Sequence, residues 1–194
     1  MTSTADFPSV TIPEGAELHR IHRRSTHPAW FSSSGSERFD PPVSHRARYG
    51  SCYIAFDAMA SYLEVFGRMD AVSSTDIHRR ALSRLTTDRA LTLADLTDRS
   101  VLGTFRITAS VSTGSDYEPS QQLSAELFDA GFDGIRYRVR HDPALAHEAV
   151  AMFGEPGQHE ERFDEIKTSD IPEHLIEGGC CGFGITIIPS VKLI

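Results

Sequence analysis

A glutamate on an amphipathic segment is the residue of this sequence best placed to do chemistry. Residues 57–69 carry apolar side chains at helical spacing, which predicts a helix with Asp57 as its N-cap. Glu64 falls at the border of the apolar face, and its same-face neighbours Ala60 and Gly67 are small enough to let a ligand approach. A carboxylate fixed beside a reacting carbon stabilises developing positive charge. The alternative is an ordinary solvated glutamate.

Three further residues could bind a ligand. Arg38 follows the Gly/Ser-rich segment 32–36, and its forked guanidinium suits a diphosphate. Tyr53 lies in the short apolar segment 51–56, where its ring could stack on a flat ligand and offer a hydroxyl at the edge. Tyr137 is the third candidate. The alternatives are an exposed arginine and a core tyrosine.

The elements that must position these residues follow from hydrophobic periodicity and turn residues. Short strands alternate irregularly with helices, which predicts an α+β fold with short mixed strands and flanking helices. We expect a loose leader over residues 1–16, one compact domain over 17–194 with an extension after about 154, and a flexible segment at 178–184. The predicted strands are 18–24 (an edge strand), 51–56, 81–85, 90–93, 135–139, 149–153 and 184–188. The predicted helices are 57–69, 119–130 and 171–177, with a short helix beginning at 95–98.

Composition excludes several classes of function. The formal net charge of −8 argues against nucleic-acid binding, although local arginines could still bind a small anion. No apolar stretch approaches the roughly 20 residues that cross a membrane, and the N-terminus lacks a secretory signal, so we expect a cytoplasmic protein without membrane contact. The spacing of His19, His22 and His27 favours a surface patch over a metal site, and we expect no metal.

The order of these motifs resembles the RES domain. Its N-terminal strand, its arginine loop, its "YlA" strand, the "A…E" of its next helix and its later "tQ…dGI.Y" segment each have a match in this sequence. No single match is specific to the family. The order of the matches and the eleven-residue spacing between Tyr53 and Glu64 make the set specific. The matches are 18–21, 37–41, 53–55, Ala60 with Glu64, and, later in the chain, Tyr117, Ser120, Gln121, Leu123, Gly131, 133–135 and Tyr137.

The resemblance implies a fold like that of ADP-ribosyltransferase toxins, and a toxin that breaks the nicotinamide–ribose bond of NAD, with phosphate or water as acceptor. NAD is then a substrate, and no cofactor is expected. Glu64, Arg38 and Tyr53 would be the catalytic residues. The partner would be an Xre-family antitoxin, and homo-oligomerisation stays open. The NAD pocket would be lined by Arg38, Tyr53, Ser120, Gln121, Tyr137 and Arg20.

One position departs from the pattern of the family. The serine of its "Y.Sr" motif falls on Val139, which can neither donate nor accept a hydrogen bond. Either another group such as Ser120 replaces it, or the activity is altered. Two alternatives therefore stay open, namely an ADP-ribosyltransferase acting on a protein or small acceptor, and a catalytically silent partner-binding domain.

Overall fold

A mixed β-sheet forms the centre of the computed structural model, which describes residues 4–105, 107–108, 111 and 114–189. Within these residues the main sheet has eight strands in the order β1-β7-β8-β9-β4-β2-β6-β11. Neighbours run antiparallel except β7 and β8, which are parallel. The fold is α+β, as the sequence predicts. Its main-sheet strands are β1 Ser9–Ile12, β2 Glu17–Arg23, β4 Gly50–Ala55, β6 Arg80–Thr87, β7 Leu91–Asp95, β8 Gly134–Arg138, β9 Glu148–Gly154 and β11 Phe163–Ser169.

Short strands and helices complete the fold. Two pairs of short strands lie outside the main sheet, β3 with β10 and β5 with β12. These strands are β3 Trp30–Phe31, β5 Ala71–Ser73, β10 Gly157–Gln158 and β12 Thr186–Ile188. The α-helices whose bounds lie within the described residues are α1 Ala58–Phe66, α2 Ser74–His78, α3 Ser100–Thr104, α4 Glu118–Asp129 and α5 Glu173–Phe183. No helix in the described part of the chain is both long enough and apolar enough to cross a bilayer.

Alternation along the strands gives the sheet a buried cluster on each face. On β9, Ala149, Ala151 and Phe153 join the cluster that includes α1, whereas Val150 and Met152 join the opposite cluster. Burial on both faces explains why this segment is continuously apolar. The sheet therefore offers a rigid base on which α1 and the neighbouring loops are fixed.

Helix α1 is anchored at its start and along its length. The Asp57 carboxylate accepts a hydrogen bond of 2.7 Å from the backbone N–H of Ala60, which confirms the predicted N-cap. Helix α5 packs against α1 so closely that a Cβ added at Gly179 would lie 2.4 Å from the Tyr62 ring. A larger residue at this glycine would force the two helices apart.

The sequence predictions for the remaining elements hold in part. The helix predicted over 119–130 and the strand over 149–153 are confirmed as α4 and β9. The edge strand predicted over 18–24 is wrong, since β2 lies between β4 and β6. Residues 9–12 of the expected loose leader form β1, with Ile12 buried against the sheet. The helix start predicted at 95–98 lies at residue 100 instead.

Two further predictions fail because burial overrides local composition. Most of the glycine-rich segment 178–184, expected to be flexible, continues helix α5 to Phe183, because the small glycines permit close packing on α1. His22 was expected to belong to a surface patch of histidines, but its side chain is buried. Its Nε2 lies 2.8 Å from the hydroxyl oxygen of Ser83.

Candidate functional site

A cleft of about 510 Å³ opens between α1, strands β2 and β4, and the loop that follows β8. Arg38, Tyr53 and Glu64, predicted from distant parts of the sequence, all line it, as do Tyr137 and Arg20. The sheet brings them together because β4 carries Tyr53 and leads into α1, which carries Glu64. Its volume is in the range of ordinary small-molecule sites.

Glu64 is half-buried in this cleft and held by one tyrosine. The Tyr137 hydroxyl donates a hydrogen bond of 3.1 Å to Oε2 of Glu64. Burial raises the pKa of Glu64 to about 7, although the Tyr137 hydrogen bond and the nearby Arg140 oppose the shift. The alternative of an ordinary solvated glutamate is therefore wrong. The carboxyl group therefore changes its charge near neutral pH, as groups at functional sites often do.

The loop before β4 is organised around a buried carboxylate. Oδ2 of Asp40 accepts hydrogen bonds from the Ser34 hydroxyl and from the backbone N–H groups of Gly35 and Glu37, at 3.0 to 3.3 Å. The Tyr53 hydroxyl donates to Oδ1 of Asp40 at 3.2 Å and accepts from the N–H of Phe39 at 2.9 Å. This network fixes the chain on both sides of residue 38.

Arg38 is 8% exposed and points its guanidinium at the segment before α4. It donates hydrogen bonds of 3.0 Å and 2.9 Å to the carbonyl oxygens of Val111 and Gly114, and lies 4.7 Å from the ring centroid of Tyr117. Among the described residues, these contacts engage two of its five N–H donors and leave three without a partner. The side chain is thus preorganised, and the alternative of an exposed arginine is wrong.

The cleft is strongly cationic although the chain is acidic. Among the described residues, its lining contains two carboxylates, Glu37 and Glu64, against a larger set of arginines. No arginine of this set forms an ion pair with a carboxylate of the described residues within 4.0 Å, whereas arginines elsewhere do. Such a surplus concentrates anions in the cleft. These arginines are Arg20, Arg23, Arg38, Arg68, Arg80, Arg138 and Arg140.

Two of the predicted pocket residues lie behind the site instead of lining it. The fully buried Ser120 donates its hydroxyl to the carbonyl of Tyr117, so it does not replace the serine of the family motif. Gln121 donates hydrogen bonds to the carbonyls of Gly35 and Glu37 and thereby supports the loop 34–40, called the Arg38 loop below. Val139 is fully buried in the apolar core.

Tyr53 and Arg20 have structural partners as well as a place in the lining. Both hydrogen bonds of the Tyr53 hydroxyl go to the Arg38 loop, so only its ring is available to a ligand. Nη1 of Arg20 donates to the carbonyls of Pro28 and Trp30 and to Sγ of Cys52. Arg20 therefore ties β2 to the chain before β4.

Sequence reasoning missed the wall formed after β8. Arg140 and His141 line the cleft, and Arg140 Nε lies 3.1 Å from Nε2 of His141. The buried Asp142 shapes this turn by accepting hydrogen bonds from the backbone N–H groups of Ala144, Ala146 and His147. The sequence offers one indication of this turn. An aspartate whose side chain accepts from the backbone N–H two residues later, here Asp142 and Ala144, is a common turn pattern.

Comparisons with known proteins agree with this architecture. The family model described as the RES domain matches residues 17–172. A solved chain of the M. tuberculosis MbcT–MbcA toxin–antitoxin complex has the same fold, with a TM-score of 0.61 and 14% sequence identity, over 86% of this chain and 90% of that one. No curated protein matches the sequence.

Proposed function

We propose that this chain, which belongs to the RES-domain family, is a toxin that breaks the nicotinamide–ribose bond of NAD. The observation that carries this proposal is that the half-buried Glu64 carboxyl and the fixed Arg38 guanidinium line the same cationic cleft. The structural neighbour comes from a toxin–antitoxin complex, which supports the toxin role and a protein antitoxin as partner. We further propose that this partner is an antitoxin of the Xre family.

The chemistry needs few groups. The bond between C1′ of the ribose and the ring nitrogen breaks, and its electron pair leaves with nicotinamide, which departs neutral. C1′ passes through an oxocarbenium-like state, and ionised Glu64 stabilises that positive charge. An oxygen of water or phosphate then bonds to C1′ and releases its proton to solvent. No general acid is required at the leaving group.

The other side chains bind and orient the dinucleotide. The free donors of Arg38 match the diphosphate, and the ring of Tyr53 is available for stacking. Tyr137 holds the Glu64 carboxyl in place through its hydroxyl. A site of this kind works mainly through preorganised charge, so Val139 in the serine position does not remove the groups on which the proposal rests.

The test measures nicotinamide released from NAD by the purified protein, with and without phosphate. We expect Glu64→Gln to lower turnover by about 100- to 1,000-fold, as for one preorganised electrostatic group. Glu126→Gln, an exposed glutamate on α4, is the matched control and should behave as the parent. Equal turnover by Glu64→Gln and the parent would refute the role of Glu64.

The same reaction separates the two alternative functions. Free ADP-ribose or its 1″-phosphate supports NAD depletion, whereas label from NAD fixed on a macromolecule supports ADP-ribosyl transfer. Intact NAD after long incubation, with a retained protein partner, would support a silent binding domain. Growth arrest on expression of the parent, relieved in Glu64→Gln, would further support a toxin.

A further inference from the structure

Two arginines of the cleft lining lie opposite each other on neighbouring strands. Arg23 on β2 and Arg80 on β6 occupy directly opposite positions in the register. By strand alternation they share the face of Ile21 and Leu82, which packs in the same apolar cluster as α1. Like charges directly opposite on antiparallel strands destabilise a sheet. The guanidinium carbon of Arg80 lies 5.4 Å from the centroid of the Phe66 ring, and this contact offsets only part of the repulsion between the two charges.

Arg68 adds a third charge to this pair. It follows α1, and all three arginines line the cleft. Burial lowers the pKa of Arg80, the proximity of Arg23 and, less strongly, of Arg68 lowers it further, and the carboxylate of Asp76 opposes the shift. None of the three forms an ion pair with a carboxylate of the described residues within 4.0 Å. Asp76 attracts Arg80 without forming an ion pair within 4.0 Å, and its carboxylate also accepts a hydrogen bond from the Ser73 hydroxyl.

Arg23 and Arg80 are separate from the arginine assigned to the diphosphate, whereas the charge of Arg68 acts on Glu37 and His141 as well as on Arg80. Arg38 is held by the segment before α4 and is coupled to Arg140, Glu64 and Tyr137. The three arginines of β2, β6 and the end of α1 thus form a second cationic region of the same cleft. A phosphate monoester, with nearly two negative charges at neutral pH, would offset their mutual repulsion.

We propose that Arg23, Arg68 and Arg80 form a subsite for a phosphate monoester carried by the dinucleotide, so that the protein cleaves NADP, with its additional 2′-phosphate, in preference to NAD. This inference rests on the proposed function for its catalytic part. Its binding part stands on the arginine geometry alone. The two parts can therefore fail independently.

The experiment compares kcat/KM for NADP and NAD in the parent, Arg23→Gln and Arg68→Gln. Both side chains are exposed, so the substitutions leave the core intact. We expect the parent to prefer NADP by about tenfold or more, and each variant to lose about tenfold more for NADP than for NAD, as for one charge-assisted contact. Arg84→Gln, which removes an exposed arginine paired with Glu17 outside the cleft, is the control for net charge.

Three outcomes would overturn the subsite. They are a parent without preference for NADP, equal losses for NAD and NADP in the variants, and a variant effect confined to the KM for inorganic phosphate. The last would assign the arginines to a free phosphate co-substrate.

Calorimetry decides the case in which neither dinucleotide is cleaved, which would refute the proposed function. Adenosine 2′,5′-bisphosphate should bind the parent at least tenfold more tightly than adenosine 5′-monophosphate. Arg23→Gln and Arg68→Gln should each reduce that difference. Equal binding of the two nucleotides by the parent would overturn the subsite even if NAD is cleaved.

Discussion

Removing the Tyr137 hydroxyl should move the pH dependence of catalysis in a direction that the structure fixes. This hydroxyl donates to Oε2 of Glu64 at 3.1 Å and acts to lower the pKa of Glu64, which burial raises to about 7. Without the hydrogen bond, burial is opposed less, and the pKa of Glu64 rises further. Tyr137→Phe therefore needs a more alkaline solution to ionise the carboxyl group.

The size of the effect follows from the strength of the contact. A hydrogen bond to a charged group contributes about 1.5 to 3 kcal/mol, and about 1.4 kcal/mol corresponds to a tenfold change in the acid dissociation constant. At the low end of that range, the ionised fraction of Glu64 at pH 7 falls from about a half to about a tenth. Turnover of dilute NAD at pH 7 should fall about fivefold and recover above about pH 9.

The assay is kcat/KM for nicotinamide release between pH 5 and 10, because this quantity reports groups of the free enzyme. Tyr49→Phe is the matched control, since the Tyr49 hydroxyl donates to the buried Ser124 hydroxyl outside the cleft. The parent and this control should share a midpoint near pH 7. A Tyr137→Phe midpoint that is unchanged or more acidic would refute the coupling between Tyr137 and Glu64.

Two predictions concern stability. Because the pKa of Glu64 is raised from 4.5 to about 7 on folding, its protonated form stabilises the fold below about pH 4.5, and this contribution is lost as pH rises through 7. Glu64→Gln should raise the free energy of unfolding in urea by about 1–3 kcal/mol at pH 8, with little change at pH 4.5. The control Glu126→Gln should show no such pH dependence. Equal effects of Glu64→Gln at the two pH values would contradict this prediction. Gly179→Ala, whose Cβ would meet the Tyr62 ring, should cost about 1–3 kcal/mol, while Gly182→Ala, which meets nothing within 4 Å, should gain up to about 1 kcal/mol. The same sign for both alanine variants would argue against close packing of α5 on α1.

The candidate site was largely predictable where a residue type and a local element together imply its role. Glu64 could be located because the apolar periodicity of α1 places it at the edge of the buried face, and the Asp57 cap marks the start of that helix. The ordered residues of the family resemblance added Arg38 and Tyr53. Sequence position alone could not show that the Tyr53 hydroxyl binds the loop instead of a ligand.

The rest of the fold and site depends on pairings between distant segments. An edge strand was expected over 18–24 because apolar and polar residues alternate there only roughly, but β2 pairs with both β4 and β6. The opposition of Arg23 and Arg80 is likewise a consequence of strand register, which local pattern does not reveal. Ser120 was assigned to the pocket by a motif, yet its place inside α4 turns the hydroxyl back to its own helix.

The most direct test of the central claim is a crystal structure of the Glu64→Gln variant with NAD bound. We predict the diphosphate at the Arg38 guanidinium and C1′ of the nicotinamide ribose within about 3 to 4 Å of the side chain at position 64, the separation of reacting groups. NAD bound outside this cleft, or with its nicotinamide ribose far from position 64, would contradict the account.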